Sequence, residues 1–267
     1  MVLTDVRALD SITQLEEGES RSVVVAGSHG GEYAGYLAAK AGVRGVVLND
    51  AGVGKDLAGI GSLGLLDGVG LAAATVSNAT ARIGDGVDCL REGRVSYVNE
   101  TAAALGCQPG SDTFGCVVRM REGTPPADVP SLGSNRYRLA DGEVPVWGMD
   151  SLSLIEPLDA GCVVVTGSHG ARLAGETESY VPTDVAGAVF NDAGGGKEDA
   201  GTTRLPMLAD HDVPAATVDA TTARIGDGRS TWDGELSAVN APARSLGVEP
   251  GMDCEAFAEC VRGEPIR

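Results

Sequence analysis

The chain has 267 residues and a formal net charge of −18, with 20 basic against 38 acidic side chains. That balance excludes nonspecific nucleic-acid binding, which needs lysine and arginine clustered against phosphate. No apolar run reaches the roughly 20 residues of a membrane span, and the first residues lack the basic start and apolar core of a secretory signal.

The six cysteines (Cys89, Cys107, Cys116, Cys162, Cys254 and Cys260) form no CxxC pair and fall at unrelated positions. That usage fits unpaired structural thiols in a reducing compartment, so a cytoplasmic protein is expected.

The chain repeats itself. Residues 22–31, SVVVAGSHGG, return as CVVVTGSHGA, NDAGVGKD returns as NDAGGGKE, and the ARIGDG hexapeptide occurs twice. His29 and His169 stand 140 positions apart, Asp50 and Asp192 142 apart. An offset kept over the whole length indicates a tandem duplication of one folding unit. The expected domains are residues 1–122 and 146–267, joined by a connector over 123–145 that contains TPPADVP and matches nothing else in the chain.

In chain order, Asp10 and Ser11, like Asp150 and Ser151, precede a short capped helix. Residues 23–25 and 163–165 are β-branched runs that predict strands buried on both faces. Each leads through GSHG into a predicted helix, GEYAGYLAAKAG in the first copy and ARLAGETESYV in the second. A second strand follows at 45–48 and 187–190, then a glycine turn and a helix to about residue 66 or 208, then a third strand at 72–76 and 215–218. After ARIGDG, helices are predicted through GRVSYVNETAAALG and GELSAVNAPARSLG, with Ser96 and Asn99, and Ser237 and Asn240, on one helical face. Both copies close with a further helix. The alternation predicts an α/β fold: two small three-layer units with mainly parallel sheets, related by a pseudo-twofold axis.

Ligands of such sheets sit beyond the carboxyl ends of the strands. Those ends carry Ser28, His29, Gly30, Asn49, Asp50, Lys55, Arg82 and Asp85 in one copy, and Ser168, His169, Asn191, Asp192, Lys197, Arg224 and Asp227 in the other. His29 or His169 is the candidate general base and Asp50 or Asp192 the group that orients it. Lys55, Lys197, Arg82 and Arg224 are charge stabilisers, while Ser28 or Ser168 is a nucleophile or an oxyanion-side donor. Asn49, Asp85, Gly30, Asn191, Asp227, Ser96, Asn99, Ser237 and Asn240 complete the candidate substrate contacts.

Residues 26–50 resemble the strand, nucleophile elbow and helix of α/β-hydrolases, which would put Ser28 in the nucleophile position with Gly30 allowing close backbone approach. Ala26 and Thr166 stand where that elbow has glycine, and no histidine follows His211, so no triad is carried over. NDAGVGKD departs from a nucleotide-binding P-loop at Asn49 and at Asp56, but its glycine turn offers main-chain N–H groups to a small anion.

The expected function is therefore an enzyme using acid/base or hydrolytic chemistry (amide, ring-opening or lyase-type) on a small polar or anionic metabolite. No organic cofactor is expected; magnesium or manganese on Asp50 and Asp85 is the alternative to no metal and is not favoured. A non-catalytic binding module for a small anion or metabolite, and a structural pseudo-dimer, are the competing readings. The expected partner is a small molecule, with self-association left open and neither nucleic acid nor membrane expected.

Overall fold

The computed structural model describes residues 4–15, 21–129, 131–175, 181 and 183–265. The fold is α/β with two mixed, mostly parallel sheets. In the first, β1 (Val6–Leu9), β2 (Val23–His29), β3 (Gly45–Asn49) and β4 (Ala72–Val76) run parallel, and β5 (Val95–Val98) closes the edge antiparallel to β4. Side chains alternate along each strand, so Val24 and Ala26 join the core under α1 (Glu32–Lys40) and α2 (Ser62–Gly68). Val23 and Val25 face the core made with α3 (Gly86–Arg91), α4 (Glu100–Ala104) and α5 (Thr113–Met120).

The second sheet contains β6 (Arg136–Ala140), β7 (Val146–Met149), β8 (Val163–His169), β9 (Gly187–Asn191), β10 (Ala215–Val218) and β11 (Leu236–Val239). β7 to β10 are parallel, and β6 and β11 are antiparallel edges. α6 (Arg204–Ala209) packs on one face, whereas α7 (Gly228–Trp232), α8 (Ala241–Ser245) and α9 (Cys254–Arg262) pack on the other. All six cysteines are buried and unpaired. Among the described residues no helix is long and apolar enough to cross a membrane.

Four sequence expectations change. Residues 6–9 and 146–149 each add a strand ahead of the capped turn. Ser96 and Ser237 lie in the edge strands β5 and β11, not on helices: VSYV and LSAV pair with β4 and β10, and the helix begins only when Asn99 or Asn240 caps it. The connector is not all loop, because residues 136–140 form β6. After GSHG the second half has no helix over residues 171–175; there the chain turns into the first half, with Ala174 N–H donating to Gly84 O at 2.9 Å and Gly175 N–H to Asp10 at 2.7 Å. Residues 176–180 of that predicted helix lie outside the described residues.

The halves meet through a small core of Ala51, Ala58, Ile83, Ala171, Ala193, Ala200 and Ile225. Their contacts are reciprocal. Lys55 N–H donates to Ala220 O at 2.8 Å and Lys197 N–H to Asn78 O at 2.7 Å. Arg224 reaches Asp56 at 3.4 Å and Arg82 reaches Glu198 at 2.9 Å. Gly52 and Gly194 stand back to back in left-handed conformations (φ +72° and +68°), where a side chain on either would press on the other's Cα.

Candidate functional site

The two NDAG turns are internally satisfied. Ala51 and Gly52 N–H donate to Asn49 Oδ1 and Asp50 Oδ1 at 2.9 and 3.0 Å, Val53 to Asp50 O, Gly54 to Gly52 O, and Lys55 across the junction. The second turn repeats the pattern from Asn191 and Asp192 to Lys197. Every amide expected to cradle an anion is thus already used, and these turns serve the junction instead. Asp50 Oδ1 also accepts from Asn78 N–H at 2.9 Å, and Asp192 Oδ1 from Ala220 N–H at 3.0 Å. Burial nevertheless pushes the Asp192 carboxyl above the usual carboxylate range, against the pull of the Gly194 and Ala220 N–H groups.

Ser28 Oγ accepts the buried Ile12 N–H at 2.9 Å, and Ser168 Oγ accepts Leu152 N–H at 2.8 Å. Each serine therefore fastens its strand end to the capped turn before it. His29 Nδ1 accepts Gly31 N–H at 3.1 Å, which puts the proton of the neutral ring on Nε2. No hydrogen bond or ion pair among the described residues joins His29 to Asp50, so the expected dyad is not formed. Gly30, between the two, donates to Asn49 O at 2.7 Å and accepts Ser62 N–H at 2.9 Å. Desolvation lowers His29 to about 4, and His169 falls to about 3 through burial, Arg204 and His29, so both rings are neutral near pH 7.

The remaining repeated residues are mostly architectural. Asn49 and Asn191 donate to Ala81 O and Ala223 O, both at 3.1 Å. Asp85 and Asp227 cap α3 and α7. Ser96 and Ser237 bond the hydroxyls of Thr75 and Thr217, both at 3.0 Å, while Asn99 and Asn240 cap α4 and α8. Lys55 Nζ donates to Thr222 O at 2.9 Å, and Lys197 Nζ to both oxygens of Asp88 at 2.9 and 3.0 Å. Arg82 is held by Asp85, Asp88 and Glu198. Among the described residues no group of three or more His, Cys, Asp or Glu side chains has the arrangement of a metal site.

What does gather is a cleft of about 600 Å³ on the junction. The first half contributes His29, Glu32 and Tyr33, the second Asp150 and the loop from Arg224 to Arg229, and the connector residues 132–137. That size lies within the range of small-molecule sites. Asp150 anchors the connector wall, accepting from Asn135 N–H at 2.7 Å and from Gly228 N–H at 3.2 Å. The Tyr137 ring covers Gly148, where any side chain would collide with it, and Arg229 lies over the ring at 4.6 Å. Burial, with Asp150 and Asp227 nearby, pushes the Tyr137 phenol up, so it is a hydrogen-bond donor at neutral pH.

Two of the lining residues, Tyr137 and Ser134, each carry a buried hydroxyl oxygen without a hydrogen-bond partner. The cleft also receives the N-terminal turn of α1, whose N-cap Gly31 supplies no side-chain cap. Below it a chamber of about 70 Å³ brings together Ser28, His29, Ser168 and His169.

His29, Arg224 and Asp227 were legible from the sequence, while Glu32, Tyr33, Ser134, Tyr137 and Arg229 were not. Those last five fall at positions that the sequence repeat does not share. The signal that could have found one of them, Tyr137, is a basic and aromatic alternation, Arg136, Tyr137, Arg138, in an otherwise acidic chain. No protein-family model, curated protein or solved structure matches this chain.

Proposed function

We propose that the protein binds a small polar metabolite bearing an anionic group in the cleft between its halves. The observation that carries this reading is a pair of buried, unpartnered hydroxyls, Tyr137 Oη and Ser134 Oγ, on two residues that line a cavity of about 600 Å³ together with Arg224 and Arg229. Leaving a buried polar group unpaired costs about 1–3 kcal/mol, and a ligand that accepts from both recovers it. His29 adds an Nε2–H, and the first turn of α1 adds main-chain N–H groups, so the cleft offers donors beside its carboxylates Glu32, Asp150 and Asp227. An oxygen-rich anion is the complement.

The two halves are read as copies of one ancestral unit about a pseudo-twofold axis, supported by the 140 to 142 residue offset and by the reciprocal Lys55 and Lys197 main-chain bonds. A cytoplasmic setting is supported by the six unpaired buried thiols.

Catalysis on the bound molecule is the second reading, favoured by the lowering of His29 to about 4, which leaves at the cleft a neutral imidazole that can act as a base only by giving up its Nδ1 bond to Gly31 N–H. Hydrolysis of an amide or a ring, or a lyase step, fits that group. The test is a thermal-shift screen of small carboxylates, phosphates, amides and hydroxy acids, followed by product analysis of every compound that stabilises the fold. Stabilisation that disappears in Arg224→Ala and Tyr137→Phe supports binding, and product formation adds catalysis. The binding reading fails if no compound stabilises the protein, or if those variants respond like the parent chain.

A further inference from the structure

We infer that, of two depressions at matching places on the junction, only one is a ligand site, taking one carboxylate-bearing molecule per chain, and that its counterpart is an ionic brace fastening the halves. The inference rests on the ligand reading above and goes beyond it by naming the ligand class, the number of sites and the residue that separates them.

Asp150, Arg224 and Asp227 line the cleft, and their counterparts at matching positions, Asp10, Arg82 and Asp85, line a second depression of about 440 Å³. The charges differ. Three carboxylates balance three guanidiniums in the cleft, whereas four carboxylates face two guanidiniums in the counterpart, a setting that repels a carboxylate ligand. The segment that should supply the helix start, residues 171–175, has no helix and is bonded to Gly84 and Asp10.

One pair of residues decides the fate of each arginine. Arg82 N–H donates to Asp88 Oδ2 at 2.8 Å, and Arg224 N–H donates to Ser230 Oγ at 2.8 Å, so Asp88 and Ser230 do the same main-chain work. Only Asp88 also carries charge. It takes the Arg82 guanidinium at 3.0 Å and Lys197 Nζ from the other half at 2.9 Å, closing a network with Glu198 across the junction. Ser230 offers no charge, and among the described residues Arg224 is left with one long ionic contact, to Asp56 at 3.4 Å. Serine at 230 thus keeps a guanidinium available in the cleft, and aspartate at 88 removes one from the counterpart.

Titration calorimetry of the full chain with acetate, succinate and 4-hydroxybenzoate tests this. The expected result is one site per chain for the carboxylates that bind. Ser230→Asp keeps the acceptor for Arg224 N–H, folds with an unchanged or higher Tm, and weakens that binding at least about tenfold. Asp88→Asn leaves affinity within about twofold and lowers Tm, because its role is in the brace. Two sites per chain, unchanged affinity in Ser230→Asp, or unchanged Tm in Asp88→Asn overturns the inference and leaves the ligand reading intact. Binding of phosphates or amides but of none of the three carboxylates overturns the ligand class and the inference alone, whereas binding of no compound removes the reading beneath it as well.

Discussion

The His29 ring of the first half lies against Gly226 of the second: a Cβ added to Gly226 would sit 3.2 Å from His29 Cε1. Gly226 also holds φ +84°, a conformation that L side chains adopt at a cost. Gly226→Ala is therefore expected to lower stability by about 1–2 kcal/mol and to displace the imidazole from the cleft. Urea melts check the first effect, and loss of stabilisation by the compounds found in the screen checks the second.

Stability should depend on pH through the two histidines. Their folded values, about 4 for His29 and about 3 for His169, lie below the ordinary 6.5. The unfolded chain takes up protons near pH 6.5 and the folded chain does not, so stability is full above that value. It declines as pH falls through 6.5 towards 4, with a slope of at most about 1.4 kcal/mol per pH unit for each histidine. The double variant His29→Gln/His169→Gln should flatten the decline between pH 6.5 and 4.5. Equal slopes for parent and variant would contradict the burial of these rings.

Ser28→Ala strands the buried Ile12 N–H and is expected to cost about 1–2 kcal/mol in a denaturant melt. Ser168→Ala should behave alike, through Leu152. Should the screen yield a turned-over compound, its conversion survives both changes. A serine variant of normal stability that had lost all conversion would restore the nucleophile role.

Lys197 and Lys55 occupy matching positions but should not be equivalent. Lys197→Met leaves Asp88, 7% exposed, without its cross-junction partner and is expected to cost about 2–3 kcal/mol. Lys55→Met removes a single bond to the Thr222 carbonyl and should cost about 1 kcal/mol or less. Paired thermal melts at low and high salt separate the two, because added salt weakens only the ionic contact to Asp88.

The strands at 23–25 and 163–165 were legible because short β-branched runs that lead into a glycine turn have few other uses in a folded chain. The capped turn at Ser11 was legible for a similar reason: Ser11 and Gln14 satisfy each other's local groups, whatever the rest of the molecule does. β5 was not. Four residues running into a good helix cap read as helix until β4 pairs with them. The role of NDAG was hidden for a different reason. Its work is done by a run of left-handed residues, Ala51, Gly52, Val53 and Gly54, that delivers the Lys55 N–H to Ala220 O in the other half. Side-chain spacing carries no record of that contact.

Sequence repetition does not by itself mark a ligand site. Residues that recur in the repeated stretches include ones that hold the main chain: Asn49, Asp50, Ser28 and Asn99 each satisfy specific backbone groups. The cleft draws its distinctive atoms from positions where the copies differ.

Ser134 and Tyr137 belong to a stretch present only once. A symmetric pair of unjoined halves would show the same glycine turns and arginines at both seams, yet neither seam would own that tyrosine. The tether is thus also a wall, and selectivity at one seam can change without altering the other.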